Sequence, residues 1–199
     1  MKKLTSVLAL VVATVLFAFT APEKKAGETF KVDVSKSSIA WNGKKVTGEH
    51  SGNIKFANGT LLFDGKKVNG GSFIVDMTSI TCIDITNADY NAKFVGHLKN
   101  DDFFGTDKFP TAKLDITDSK ALGGDKYEIN GNITIKGVTK PITFPATIKK
   151  VKNSIVAAAD VTINRTQFDI KYGSASFFNL GDKAINDDFT LKIALVAAK

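Results

Sequence analysis

The sequence has almost no cysteine, histidine or arginine: Cys82, His50, His97 and Arg165 are all it contains among 199 residues. A single cysteine excludes an internal disulfide framework, so a chain of this length must be held by its core. Cys82 itself reads as a small buried hydrophobe in a strand, because neither histidine is near it in sequence and no second thiol exists to resolve an oxidised form. With so few nucleophiles and metal ligands, and no GxSxG, HExxH, P-loop or CxxC pattern, the usual nucleophile, metal and phosphate arrangements are missing. The near absence of arginine, the residue suited to bidentate phosphate and base contacts, argues against nucleic acid as a partner. The net charge of +7 is instead carried by lysines scattered among aspartates and polar residues. Such a surface keeps a protein soluble and guards strand edges.

Long apolar runs are also absent after residue 20, so no later segment can cross a bilayer as a helix. The one such run, Leu4 to Phe19, follows Met1, Lys2 and Lys3 and gives way to Ala21, Pro22, Glu23, Lys24 and Lys25. That is the layout of a secretory signal peptide over residues 1–20, with cleavage between 20 and 26; an uncleaved anchor is the alternative. The expected location is therefore outside the cytoplasm, the periplasm or the medium. No cysteine lies near the leader's end to carry a lipoprotein anchor. Residues 27–199 then form one domain.

From Thr29 onward the pattern is two-residue alternation broken by glycine-containing turns, the mark of antiparallel strands with one wet face. Ser38 to Trp41 and Asn53 to Phe56 begin two runs, and Asn58-Gly59 after them reads as a tight hairpin. Leu61, Phe63, Asp64-Gly65, and Gly70-Gly71 leading into Ser72 to Met77 repeat the theme. Further strands are expected at 112–116, 127–129, 133–135, 142–144, 157–163 and 190–196. Pro141 and Pro145 mark an edge, an end or a bulge, since proline donates nothing to a ladder. Eight or more strands at such spacings predict an all-β barrel or sandwich.

Residues 87–110 interrupt the strands. Tyr90, Phe94 and Leu98 recur every four residues, one face of a short helix for which Asn87 is an N-cap. An aromatic insertion of this length is either a cap over a barrel end, part of a binding mouth, or a plug.

Few groups remain that could carry chemistry. Asp101-Asp102 and Asp187-Asp188 are adjacent pairs, whereas a glycosidase needs two carboxylates across a cleft; neighbours in a strand face opposite ways and more readily cap turns. His50 and His97 could each touch a ligand's polar head, although an isolated histidine more often satisfies a carbonyl or carboxylate. Arg165, the sole guanidinium, points to a buried ion pair with an aspartate or to an anionic head group. Phenylalanine, by contrast, is plentiful at 15 residues. An eight-stranded barrel is just wide enough inside to be filled by side chains or to hold one small ligand, and aromatics suit either.

Several segments together resemble the YceI-like family of exported lipid-binding proteins. They are Val32-Asp33 with Ser37, Ile39 and Trp41; Gly48-Glu49-His50-Ser51-Gly52; Gly70 to Phe73 through Met77-Thr78-Ser79-Ile80; His97 to Phe104; Gly131 to Pro141; and Arg165 through Tyr172-Gly173-Ser174. Asn100 stands where that family often has serine, and Asp169 where glycine is common. The resemblance implies an eight-stranded antiparallel barrel resembling lipocalins, one helix in the long insertion, and a polyisoprenoid, an isoprenoid quinone or a similar lipid in the pore. On this basis Trp41, Phe73, Val75, Phe94, Leu98, Phe103, Phe104, Phe144, Phe168 and Phe178 are the candidate pore lining, with His97 and Arg165 at its polar end. No catalytic residue, metal or required cofactor is expected, and the partner is an apolar lipid. Transient membrane contact and a homodimer stay open. The competing readings are a structural or adhesive barrel with a filled core and a carboxylate-dependent hydrolase.

Overall fold

Residues 27–199 are described in a computed structural model; the leader predicted over residues 1–20 lies outside them. The alternating segments form β1 (Glu28–Val32), β2 (Ser38–Lys45), β3 (Gly48–Phe63), β4 (Val68–Asp76), β5 (Thr111–Gly123), β6 (Lys126–Ile135), β7 (Val138–Val151), β8 (Ser154–Asn164) and β9 (Ile185–Ala198). All ladders between them are antiparallel, and the ring closes through β3 against β4 and through β9 against both β1 and β2.

The nine segments make eight staves. β1 pairs with the second half of β3 and the end of β9, whereas β2 pairs with the first half of β3 and the earlier part of β9. The two thus lie end to end along the same neighbours, one stave broken at residues 33–37. Asp33 fixes the break, its Oδ1 accepting from the Ser35 backbone N–H at 3.1 Å and from the Ser35 hydroxyl. The architecture is an eight-stranded antiparallel barrel with one helix.

Its two ends differ. One carries the tight connections at 64–67, 124–125 and 152–153, and it is packed solid: Phe30, Val68, Ile155 and Ala197 there are wholly enclosed. The other carries the β2–β3 hairpin, the turn at 136–137 and both long connections, 77–110 and 165–184.

The first of these holds α1 (Ala88–Lys99), started by Asn87, whose side chain accepts the Tyr90 backbone N–H at 3.0 Å. Asp89 in the first turn and Lys99 in the last suit the helix dipole. Along the expected apolar face Leu98 is buried and Phe94 half-buried, while Tyr90 is exposed. The helix meets the barrel only through its later turns.

Two local expectations are corrected. Asn58-Gly59 is not a hairpin turn but lies within the unbroken β3, next to a bulge between Phe56 and Asn58. A β-carbon on Gly59 would stand 2.8 Å from both Phe73 and Val32, so this glycine serves close packing across strands. Cys82 is buried as expected but is not in a strand. It lies in an irregular segment along β3, where the Thr81 and Ile83 N–H groups donate to the Asn53 and Ser51 carbonyls, each at 2.9 Å. Pro141 and Pro145 do mark an edge: residues 138–145 pair with β6, and pairing with β8 begins only at Ala146.

Candidate functional site

Between the packed end and the two long connections lies a cavity of about 410 Å³. Its depth is aliphatic and aromatic, with Ile39, Ile54, Ile116, Ile129, Ile148 and Leu195 pointing inward from six different strands by strand alternation. Of the ten candidate lining residues, Trp41, Phe73, Val75, Phe94, Leu98, Phe103, Phe104 and Phe144 border it. Phe94 from α1 reaches over the opening and stacks near Trp41, ring centroids 6.5 Å apart. Phe104 from the same insertion meets Phe189 of β9 edge-on at 6.3 Å.

Two candidates do not border the cavity. Phe168, only 2% exposed, is packed in the core from the 3-10 turn at Arg165–Phe168, which the Asn164 side chain starts by accepting the Thr166 N–H. Phe178 stands half exposed on the outer surface of the 165–184 connection. Alternation could place strand residues, but these two lie in irregular chain where no period applies.

His97 also faces away from the cavity. It packs edge-on against Phe103 and Tyr172, at 5.0 and 4.7 Å, and its Nε2 is 3.1 Å from Asp102. The histidine that borders the cavity is His50, brought there by β3 and set against Phe94 at 4.5 Å. Its Nδ1 is held by Asp84 at 2.7 Å.

Asp84 organises that corner. Its carboxylate accepts from His50, from the Ser51 backbone N–H at 2.7 Å and from the Cys82 thiol at 3.3 Å. Burial pushes its pKa up, but these three hydrogen bonds outweigh burial and hold it at about 2. Burial pushes the Cys82 thiol up, so it stays protonated. His50, Cys82 and Asp84 have ligand atoms within 4.8 Å of one another and could hold a metal. Their polar atoms already satisfy one another, so the cluster is complete as a hydrogen-bonded clasp that fixes the wall behind Phe94.

Arg165 borders the cavity and is 4% exposed. Its Nε donates to the Asn186 carbonyl at 3.0 Å, Nη1 to those of Ile170 and Tyr172 at 3.0 and 2.7 Å, and Nη2 to that of Ile185 at 3.0 Å. Asp187 Oδ1 lies 3.6 Å from Nη2. Burial lowers the Arg165 pKa and Asp187 opposes it. The guanidinium therefore ties the 165–172 chain to the start of β9 and has little left to offer a head group.

The rim is made of residues that no strand period identifies: Gly43, Lys44 and Lys45 at the end of β2, and Asn186 and Asp188 in β9. Here the β2–β9 register slips between Gly43 and Lys45, bulging β9 and leaving a polar lip on an apolar cavity.

This closed barrel with an apolar interior, a helix over one end and an irregular lip is matched by the YceI-like domain family over residues 30–197. The chain belongs to that family. Among curated YceI-like relatives, protein YceI of Shigella flexneri is 38% identical over 96 residues, covering 48% of this chain and 47% of that protein. A UPF0312 protein of Shewanella denitrificans is 35% identical over 89 residues, 45% of this chain and 44% of its own. The match thus spans about half the length of these relatives. Among solved structures, BcnA of Burkholderia cenocepacia superposes with a TM-score of 0.68 at 24% identity, over 84% of this chain and 99% of that one. A polyisoprenoid binding domain from Saccharophagus degradans gives 0.61 at 13% identity, over 85% and 97%. At these identities the likeness is one of fold.

Proposed function

We propose that this YceI-like barrel binds one long apolar lipid, a polyisoprenoid, an isoprenoid quinone or a similar amphiphile, and carries or stores it outside the cytoplasm without chemical change. The observation that carries this reading is the cavity itself: about 410 Å³ enclosed by apolar side chains inside a barrel whose other end is packed solid. That volume falls within the range of small-molecule sites. Each buried CH₂ contributes roughly 0.8 kcal/mol, so one five-carbon prenyl unit contributes on the order of 3–4 kcal/mol before the cost of ordering the chain. The polyisoprenoid that the Saccharophagus degradans domain binds agrees with the chemistry of this wall. The signal-like leader supports export, and the polar lip gives an amphiphile's head a place at the opening.

Trp41, the single tryptophan, borders the cavity and reports on it directly. Titration with a quinone bearing an isoprenoid tail should quench Trp41 emission saturably. The same quinone head without its tail should not. Equal quenching by the two would show that the cavity does not take the tail and would overturn the reading.

A further inference from the structure

The 165–184 connection displays an aromatic pair beside the cavity's opening. Phe177 and Phe178 are 50% and 53% exposed and, with Leu180 and with Val46 at the tip of the β2–β3 hairpin, they line a shallow groove. The groove continues into the cavity rim along the chain: Val46 follows Lys45, Ala184 precedes Ile185, and Lys45 and Ile185 both border the cavity. The Val46 N–H donates to the Ala184 carbonyl at 3.1 Å, joining hairpin and connection. The aromatic pair is also held from below. The Phe177 and Phe178 N–H groups donate to the carbonyl of the fully buried Ser174, and the Ser176 hydroxyl donates to Asp187.

Adjacent phenylalanines held out into water by a buried anchor gain nothing from the solvent. We propose that this groove is the surface by which the barrel docks on a phospholipid bilayer, with Phe177 and Phe178 entering the headgroup boundary beside the cavity mouth. The inference rests on the lipid-carrier reading, because a water-insoluble ligand needs a path that keeps it out of water. The nearby charge identifies the kind of contact. Lys44 is paired with Glu49 at 3.7 Å and Lys171, which also lies 5.3 Å from the Phe177 ring, with Asp169 at 2.8 Å. Arg165 faces Asp187, while Lys45 and Lys183 are matched in number by Asp182 and Asp188. Charge around the groove is thus balanced, and the docking force is apolar insertion rather than attraction to anionic lipid.

The test is flotation of the barrel of residues 27–199, whose nine strands close into one sheet, on zwitterionic phosphatidylcholine vesicles. The wild-type barrel should float, and raised salt, which screens exposed charges, should not release it. The double variant Phe177→Ser, Phe178→Ser should partition about tenfold less or worse. Leu122→Ser, equally exposed but at the packed end, should float like wild type. A Phe177→Trp variant keeps the apolar surface, and its emission should shift to the blue with vesicles. Failure of the wild type to float, equal flotation of the double variant, or release by salt would overturn the proposal. So would groove-dependent dimerisation in free solution without vesicle binding, which would make a second copy the occupant. Loading from detergent separates the two readings: a double variant that fills from detergent but not from vesicles supports docking, whereas a wild type that floats yet never fills contradicts the carrier alone.

Discussion

The Arg165 guanidinium stands 3.6 Å from the Asp187 carboxylate and gives its donors to four backbone carbonyls, those of Ile170, Tyr172, Ile185 and Asn186. Asp187 Oδ1 is buried with no hydrogen-bond donor, so this cation is its compensation. Removing one partner of a buried charged pair costs about 3–5 kcal/mol, and a lysine cannot reproduce a fork that reaches both the 170–172 chain and the start of β9. Arg165→Lys should therefore lower the urea unfolding midpoint markedly, and Arg165→Ala further. A head-group role alone would leave unliganded stability unchanged.

Gly52 provides a second test of how the cavity wall is built. A β-carbon there would lie 1.8 Å from the Thr81 carbonyl oxygen and 2.7 Å from Trp41 Cε2, and the Trp41 indole N–H donates to that same carbonyl at 3.0 Å. Backbone cannot yield as a flexible side chain does. Gly52→Ala should destabilise by about 1–3 kcal/mol and shift Trp41 emission to the red as the indole is displaced toward water. Thermal melts and the emission spectrum check both.

The strand positions could be read from alternation because side chains on one face repeat every two residues, and the helix could be read from the Asn87 cap and the Tyr90, Phe94, Leu98 spacing. Of the ten lining residues implied by the family resemblance, eight border the cavity: Trp41, Phe73, Val75 and Phe144 from strands, Phe94 and Leu98 from the helix, and Phe103 and Phe104 from the turn after it. The reading failed where one residue type serves two ends. Asn58-Gly59 has the composition of a turn, yet Gly59 is small so that Phe73 can cross it. Phe168 and Phe178 are aromatic like their neighbours, but irregular chain turns one into the core and the other outward. Asp84 could not be linked to His50 from sequence, since 34 residues separate them and only the return of the chain along β3 brings them together.

Asp169 has φ of +58°, in the left-handed region that favours glycine. Its ion pair with Lys171 is largely exposed and contributes little. Asp169→Gly should leave stability unchanged or raise it by up to about 1 kcal/mol, with the melting temperature moving accordingly. A clear loss would mean that the carboxylate has a structural role.

Acid should unfold the barrel through particular carboxylates. Asp84 and Asp64 are lowered from 3.8 to about 2: Asp84 by the hydrogen bonds that outweigh its burial, Asp64 by the Lys67 N–H, the Asn69 amide and the Lys66 N–H. A depressed native pKa gives stability that is present above the unfolded value and is lost as pH falls through the native one. The urea midpoint should hold down to about pH 4 and then drop toward pH 2. Asp64→Asn should start lower and flatten that drop, because the group no longer titrates.

The central claim is that a lipid tail occupies the cavity, and the most direct measurement is organic extraction and mass spectrometry of the purified barrel beside its Ala157→Phe variant. Ala157 is a small half-buried residue on the cavity wall, so the larger side chain fills the space the tail would take. Wild-type barrel from several hosts should yield about one apolar lipid per chain, as expected for a single enclosed site, and Ala157→Phe much less while remaining folded. No lipid from wild type in any host, or equal lipid from both proteins, would contradict the account.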